Sequence, residues 1–430
     1  MKPTCKASLN TTELASSAKL NTDENDATII DQAHSHIYMG STYLSGRQVR
    51  PVKNNYLRMK TRLLLCICFL GLITCQTPQQ NDERENLLRD TIHELENDLV
   101  SLRISLYGGA YVGFTYKDMS LNPFTWKLTK EEMPQNNKNG AVFHGHFLCL
   151  GRWGSPTAGE KEAGVPHNGQ ASNTMWIKER SSNRQMLISS NYAPRDGMVI
   201  LRTVKMDTQE PMFYVTEEIK NITTIARLNN VVQHATIGAP FLNRTTIINS
   251  NAGKGFNQKF AYPDPHAFAY SWPHAYLNKE KVSTSLESSD CDSSYVSTHL
   301  MEGDYGWVTA ATPSQGLLLG YFWKTTDYPW LNLWHEIKDG EPWAKGLEFG
   351  TTGIGRSYHD LLKTDTRFHG VNSFELLDAG QSVSKSFCCF LLKIPTNYKG
   401  VESITLENGK LVIRSKEKAM APVEITYKGK

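Results

Sequence analysis

The sequence predicts an all-β fold for residues 99–430, a large antiparallel β-sandwich. From Leu99 onward, short apolar and β-branched runs alternate with turns rich in Gly, Pro and Asn. No amphipathic period long enough for a helix of more than about ten residues follows Asp98. No repeat of fixed period is present. These three observations together favour one β-sandwich domain.

The strands of this domain are expected wherever such a run is bounded by turn residues. The predicted strands are Ser101–Tyr107, Tyr111–Tyr116, Met186–Ser190, Met198–Met206, Met212–Ile219, Val231–Thr236, Thr245–Ile248, Trp307–Ala311, Gly316–Trp323, Trp330–Glu336, Phe387–Ile394 and Lys410–Ser415.

Composition narrows the class of protein. The chain has 430 residues, 40% of them hydrophobic, and a net charge of +3. The sequence has no cluster of basic residues interleaved with aromatic residues, so it does not suggest a nucleic-acid partner. The cysteines follow no CxxC spacing, so neither a zinc site nor a disulfide framework is predicted. Cys388 and Cys389 lie in an apolar run, which predicts buried thiols.

The amino-terminal part differs from the domain. Residues 1–58 are polar, and at Met59 the sequence restarts with basic residues followed by the apolar run Leu63–Ile73. This run is too short to span a bilayer as a helix, which needs about 20 residues, so a signal peptide over 59–75 is predicted. The alternative is an uncleaved apolar segment. We expect translation to start at Met59 and residues 1–58 to be spurious or dispensable.

The end of the signal peptide, Leu72-Ile73-Thr74-Cys75, resembles a bacterial lipobox, although Thr74 is unusual there. We therefore expect a lipid on Cys75 as the only membrane attachment, and a location in the bacterial cell envelope. Residues 76–98 are polar and charged, with Leu87, Leu88, Ile92 and Leu95 at helical spacing, and are predicted to be a linker to the domain.

A carboxylate in an apolar, tryptophan-rich stretch is the most informative local feature. Glu348 lies in the run Gly346–Phe349, downstream of Trp330, Trp334 and Trp343. Burial there would raise its pKa toward neutrality, which suits a general base. His234 is the matching acid, because an imidazole titrates near neutrality. Such a pair beside aromatic rings indicates proton transfer on a sugar.

The same residues carry a resemblance to a known family. Met212–Leu242, with Asn221 and His234, resembles the galactose mutarotase-like, or aldose 1-epimerase-like, superfamily. Gly346–Thr351 resembles the late strand of that family that supplies a general base, and Phe143–Trp176 resembles its early substrate loop. Gly108-Gly109-Ala110 and Leu121-Asn122-Pro123 resemble its opening strands, and the pieces occur in the family's order.

The resemblance implies a supersandwich fold and the interconversion of sugar anomers by ring opening, without a cofactor. Glu348 would be the base and His234 the acid. His167, His144 and Arg152 would contact the substrate. Family branches that act on sugar phosphates carry arginines beside the early glycines, and these are missing here, so a neutral sugar is expected.

Several residues keep two interpretations. Trp330 and Trp334 share one strand face, so they either stack on a sugar or belong to the core. His144 and His146 form an HxH pair, but without further ligands we predict no metal site. For the whole chain, the alternatives are a carbohydrate-binding lipoprotein without turnover and a polysaccharide lyase. The lyase needs a cation or arginine cluster that the sequence does not supply.

Overall fold

The computed structural model describes residues 91–277, 280–283 and 293–429. The predicted extension 1–58, the signal peptide 59–75 with Cys75, and most of the predicted linker lie outside the described residues.

Two large antiparallel sheets form the domain. The first sheet contains, in spatial order, β1 (Ile92–Glu96), β2 (Val100–Ser105), β3 (Ala110–Tyr116), β4 (His146–Leu150), β10 (Val231–Ile237), β20 (Glu341–Gly350), β19 (Trp330–Lys338), β16 (Tyr295–Met301), β12 (Ala252–Asn257) and β13 (Tyr270–Ser271). The second contains β11 (Ile247–Ser250), β17 (Tyr305–Thr312), β18 (Leu317–Lys324), β22 (Ser382–Lys393), β8 (Met212–Asn221), β7 (Met198–Met206), β6 (Met186–Ala193) and β5 (Ile177–Ser182).

Smaller elements complete the described part of the chain. The small sheets are β14 (His274–Leu277) with β15 (Glu280–Ser283), β9 (Arg227–Leu228) with β21 (Leu376–Leu377), and the C-terminal sheet of β23 (Val401–Glu407), β24 (Lys410–Ser415) and β25 (Val423–Thr426). The helices are α1 (Ala158–Glu162), α2 (Tyr358–Lys363) and 3-10 turns at Pro123–Thr125, Gln135–Asn137, Asn183–Gln185, Gln258–Phe260 and Pro313–Gln315. None of these helices is long and apolar enough to span a membrane.

The all-β sandwich predicted from the sequence is confirmed, and each predicted strand overlaps a strand of the structure. The linker boundary is different. Ile92–Glu96, predicted to belong to the linker, is an edge strand paired with β2. The helical spacing of Ile92 and Leu95 was misleading because only Leu95 is buried, while Ile92 is 41% exposed. Pairing with the neighbouring strand outweighs the local spacing.

The main core lies between the two large sheets. Inward-facing side chains such as Leu148, Leu347 and Phe349 of the first sheet meet Val215 and Leu391 of the second. Fully burying an aliphatic or aromatic side chain of this size contributes about 1.5–3 kcal/mol. The C-terminal sheet covers the outer face of the second sheet through a separate apolar cluster. The outer face of the first sheet has no such third sheet among the described residues, and it carries the candidate site.

A polar group of residues, here called the inner cluster, is enclosed in the main core. Its members are Arg202, Glu217, Gln233, His146 and Tyr321. The guanidinium of Arg202 lies 2.7 Å from the Glu217 carboxylate, and Gln233 donates a 2.7 Å hydrogen bond to the same group. His146 bonds to Gln233 at 3.2 Å and to the Tyr321 hydroxyl at 3.1 Å. The inner cluster therefore ties strands of both sheets together beneath the outer face.

Candidate active site

Adjacent strands bring the two predicted catalytic residues together. β10 and β20 are antiparallel neighbours, and Gln233 pairs with Phe349 while Thr236 pairs with Gly346. This register places His234 opposite Glu348, both on the outer face of the sheet. The Nε2 atom of His234 lies 3.2 Å from Oε1 of Glu348, which is hydrogen-bond distance.

The imidazole of His234 is held from three sides. Phe147 stacks on it, with ring centroids 4.4 Å apart and planes 16° from parallel. Trp334 meets it edge-on at 5.8 Å. On the same strand, the Thr236 hydroxyl lies 2.8 Å from Nδ1. If Nδ1 donates to Thr236, then Nε2 presents its lone pair to Glu348.

The carboxyl group of Glu348 is closed off from solvent, and the residue is 1% exposed. The indole N–H of Trp153 donates a 2.8 Å hydrogen bond to its Oε2 atom. Gly346 provides the room for this arrangement, because a Cβ atom there would lie 2.5 Å from Oε1 of Glu348. A larger residue at position 346 would displace the carboxyl group.

Burial shifts the two groups in opposite directions. Burial raises the pKa of Glu348 to about 8, against a lowering effect of the Trp153 hydrogen bond. Burial, and then the nearby charge of His167, lowers the pKa of His234 to about 3. These shifts favour a proton on Glu348 and an uncharged imidazole at neutral pH, so that in this state Glu348 is the proton donor of the pair and His234 the acceptor.

The predicted substrate loop covers the pair. Gly151 and Gly154, with φ of 72° and 82°, let the backbone turn on either side of Trp153. The side chain of Asn168 accepts a 2.7 Å hydrogen bond from the Gly154 amide. Helix α1 within the loop begins with a capping box at Thr157. The loop is therefore fixed by its own polar contacts and not by apolar packing alone.

His167 and Arg152 both lie in this loop but differ in their surroundings. The ring of His167 lies 6.0 Å from Phe143, which stacks on Phe147, so it is close to the pair. Burial and then the charge of Arg152 lower the pKa of His167 to about 4. Arg152 donates to the carbonyls of Ser155 and Arg356. Its guanidinium therefore braces the loop.

The HxH residues are separated by a turn. Gly145, with φ of 55°, interrupts the strand alternation. His146 enters the inner cluster, whereas His144 lies near Lys127, whose charge adds to burial in lowering the pKa of His144 to about 4. No hydrogen bond or ring contact of the described residues joins His144 to Glu348. The part of the chain that the structure describes contains no group of three or more potential metal ligands.

The tryptophans divide between the site and the core. Trp334 contacts His234, as described above. Trp330 is fully buried against Phe256 and Phe368, and its indole N–H donates to the carbonyl of Asn372. A sugar could not reach Trp330 without unfolding this cluster. The two tryptophans thus share one sheet face, and only Trp334 is at the pair.

Sequence reasoning missed three residues of the site, namely Trp153, Thr236 and Phe147. Thr236 was detectable, because residues two apart on a strand share a face with His234. Phe147 and Trp153 lie in the segment that resembles the family's substrate loop. Their role depends on the turns at glycine, which sequence periodicity does not specify.

A cavity of about 620 Å³ lies away from the pair and is lined by Asp327, Glu375 and Lys385 among others. The Lys385 ammonium donates 2.9 Å hydrogen bonds to the Glu375 carboxylate and to the carbonyl of Asp327. This cavity is therefore lined by a matched ion pair and has no hydrogen-bonded acid and base of the kind found at Glu348. We place the candidate chemistry at Glu348 and His234.

Comparison with known proteins supports the fold. The chain is similar to the structure of a galactose mutarotase related enzyme from Lactobacillus acidophilus, with a TM-score of 0.52, 12% identity, and coverage of 71% of this chain and 98% of that one. Galactose mutarotase-like proteins from Clostridium acetobutylicum and Lactobacillus casei give TM-scores of 0.49 and 0.48, identities of 11% and 13%, and coverage of 70% of this chain and 95% and 100% of theirs.

No protein-family model and no curated protein matches the sequence. At 12% identity, the likeness to the Lactobacillus acidophilus enzyme describes the fold alone. The chain thus has the galactose mutarotase-like fold that its sequence resemblance predicted.

Proposed function

We propose that the protein interconverts the anomers of a neutral aldose by acid–base ring opening at Glu348 and His234. One observation carries the proposal: a carboxyl group and an imidazole 3.2 Å apart, on adjacent strands, with pKa values shifted in opposite directions. Titratable groups whose environments separate their pKa values are typical of acid–base sites. The shared fold is consistent with this activity.

The spacing of the pair suits the chemistry. The anomeric hydroxyl and the ring oxygen of an aldose are bonded to the same carbon, so two neighbouring side chains can each reach one of them. Protonated Glu348 would donate its proton to the ring oxygen. Nε2 of His234 would accept the proton of the anomeric hydroxyl. The bond from the anomeric carbon to the ring oxygen then breaks and leaves an aldehyde.

Rotation about the bond next to the aldehyde presents its other face to the returning hydroxyl. On closure, His234 returns its proton to the carbonyl oxygen and Glu348 recovers its proton from the attacking hydroxyl. No net proton is gained or lost, so no cofactor is needed. Thr236 would keep Nε2 of His234 aimed at the reacting centre through both steps.

A neutral substrate fits the contacts of Arg152, a cation of the loop that covers the pair. Arg152 directs its donors to two backbone carbonyls, and its Nε atom lies 3.7 Å from the Glu160 carboxylate. A phosphate would have to compete with these contacts. Buried arginines of this kind are costly to unpair, because the charge would remain in a poorly solvated place.

A second function, sugar binding without turnover, is favoured by the closed state of the pair. The indole N–H of Trp153 donates a hydrogen bond to one carboxyl oxygen of Glu348, and the carboxyl group is inaccessible to solvent. Catalysis requires the substrate to displace Trp153. A binding protein would need only the aromatic rings around His234.

Anomer exchange measured by NMR on a panel of neutral aldoses distinguishes the two functions. We expect fast exchange with the wild-type protein and its loss in Glu348→Gln. Glu336→Gln is the matched control, because Glu336 also accepts a hydrogen bond from an indole N–H, that of Trp334, at 3.1 Å. Binding of sugars without exchange would support the non-catalytic function. Exchange that survives in Glu348→Gln would contradict the proposal.

We also propose attachment to the bacterial envelope by a lipid on Cys75, on the strength of the lipobox-like sequence. Labelling cells with a fatty-acid analogue tests this. Label is expected on the wild type and absent from Cys75→Ala. Label that persists in the variant would contradict the attachment.

A further inference from the structure

A cleft lies beside the proposed catalytic pair and is not used by the reaction described above. Its volume is about 350 Å³, within the ~300–1,000 Å³ typical of small-molecule sites. Trp126, Pro342 and Trp343 contribute its apolar lining, and Gly238 and Ala239 also line it. We call this the aromatic cleft.

Edge-on aromatic contacts connect the aromatic cleft to the pair. Trp334, whose ring lies 5.8 Å from His234, is 5.4 Å from Trp126 and 6.3 Å from Trp343. Trp126 and Trp343 are 5.5 Å apart. The aromatic cleft therefore begins one indole ring away from the imidazole that would accept the anomeric proton.

The walls of the aromatic cleft are held in place by contacts outside it. The β19–β20 turn at Asp339 and Gly340 has left-handed φ values of 54° and 77°, typical of a tight hairpin. Lys338 pairs with Glu132 at 3.1 Å, and Arg244 pairs with Glu341 at 3.0 Å. The side of the cleft formed by the hairpin is therefore anchored before any ligand binds.

The charges around the aromatic cleft cancel. Its lining contains two lysines, Lys127 and Lys338, and two acids, Asp339 and Glu341. A strongly charged ligand would find no excess of the opposite sign there.

Balanced charge, flat aromatic surfaces and polar groups at the edge are the features that bind a sugar ring. Its C–H face packs on indole, and its hydroxyls reach the surrounding donors and acceptors. We propose that the aromatic cleft binds the second unit of a neutral oligosaccharide whose reducing-end sugar lies at Glu348 and His234. This inference rests on the proposed function and adds its substrate class.

The test compares sugars with and without a second unit, using the full-length protein. Anomer exchange is measured for glucose against cellobiose, maltose and lactose, and for xylose against xylobiose. In the wild type, kcat/KM is expected to be higher for at least one disaccharide than for its reducing-end monosaccharide. In Trp343→Ala this preference falls by about tenfold, the size expected for losing one aromatic contact.

A second variant keeps the test valid if Trp343→Ala does not fold. Ala239→Phe fills the aromatic cleft from an exposed position without removing a tryptophan, and the same loss of preference is expected. Binding of the disaccharides to Glu348→Gln, followed by calorimetry, gives a readout that is independent of turnover, and Trp343→Ala should weaken it.

The outcomes separate the two proposals. Equal kcat/KM for mono- and disaccharides, with no effect of either cleft variant, overturns the aromatic cleft alone. Exchange of no sugar by the wild type refutes the proposed function. Disaccharide binding that is lost in Trp343→Ala would then still support the cleft as a sugar site of a non-catalytic protein.

Discussion

Two carboxylates lie against opposite faces of strand β10, Glu217 from the second sheet on the inner side and Glu348 from the first sheet on the outer side, and they are buried in different ways. Glu217, in the inner cluster, meets the guanidinium of Arg202 at 2.7 Å and accepts a hydrogen bond from Gln233. Glu348, on the outer face, meets an imidazole and an indole N–H. Gln233 and His234, the residues that contact them from β10, are neighbours in sequence.

The difference lies in the partner of each charge. The inner carboxylate has a cation, so ionisation is compensated and the cluster can serve as structure. The outer carboxyl has no cation among its hydrogen-bond partners, so burial raises its pKa to about 8 and leaves it a transferable proton. Of the two, the buried carboxyl group without a cation partner is thus the one suited to proton transfer.

The largest effect is expected from removing the outer carboxyl. Glu348→Gln should lower the rate of anomer exchange by roughly 10²–10⁴, the contribution of one acid–base group. At pH 7 its free energy of unfolding should not fall below that of the wild type, because the amide replaces a neutral carboxyl in the folded protein and removes the cost of protonating the ionised carboxyl of the unfolded chain. NMR exchange and urea unfolding measure the two quantities. A large loss of stability would place Glu348 with the structural carboxylates.

Removing the inner carboxylate should act on stability instead. Glu217→Ala leaves Arg202 charged and unpaired in the core, which typically costs about 3–5 kcal/mol. Urea unfolding measures this loss. The double variant Glu217→Leu with Arg202→Met removes both charges and should recover part of it. If the double variant is no more stable than Glu217→Ala, the loss came from packing and not from the unpaired charge.

The pH dependence of stability should report the outer carboxyl. Its pKa is about 8 in the folded protein and 4.5 ordinarily, so its stabilising contribution is complete below pH 4.5 and is lost as pH rises to 8. The His234 contribution has the opposite sign, with loss as pH falls from 6.5 toward 3.

Between pH 6.5 and 8 only the Glu348 contribution changes within this pair. We expect the wild type to lose stability relative to Glu348→Gln by about 1.4 kcal/mol per pH unit there. Urea unfolding of both proteins at several pH values tests this. Parallel pH curves would mean that Glu348 is already ionised in the folded protein.

The smallest effect is expected at Trp153. Its N–H stabilises the ionised form of Glu348, so Trp153→Phe should raise the carboxyl pKa further, by about one unit or less for a single hydrogen bond. The midpoint of the carboxyl carbon shift in a Glu-labelled protein gives this value. Trp330→Phe, which removes a hydrogen bond to the Asn372 carbonyl in a separate apolar cluster, should leave the midpoint in place. A lower midpoint in Trp153→Phe would contradict the assignment.

The sequence predicted the sandwich because alternating runs and turns recur along the whole domain. It also predicted that Glu348 and His234 act together, although their positions are far apart in the chain, because each lay in a family-like segment. It assigned the base to Glu348 and the acid to His234, but which residue holds the proton at rest does not follow from the sequence. That depends on burial by Trp153, which the turns at Gly151 and Gly154 bring over the sheet, and on the direct contact between the two groups.

The early residues of the domain show a second limit. Ile92 and Leu95 have helical spacing but form an edge strand, since backbone pairing with β2 decides their conformation. Arg152 shows a third limit of prediction from sequence. An arginine in a substrate-like loop is equally suited to holding that loop through carbonyl groups, and sequence alone does not distinguish the two uses.

The three described cysteines are free and buried. Cys388 and Cys389 are neighbours on one strand, so their side chains project to opposite faces of the sheet and enter separate apolar clusters. Burial raises the pKa of Cys149, and the nearby Glu348 adds to this. Oxidants react with the thiolate form, and alkylating agents do so too. Because these thiols are buried, they should be unreactive toward such reagents in the native protein. Thiol reagents can therefore serve as probes of unfolding.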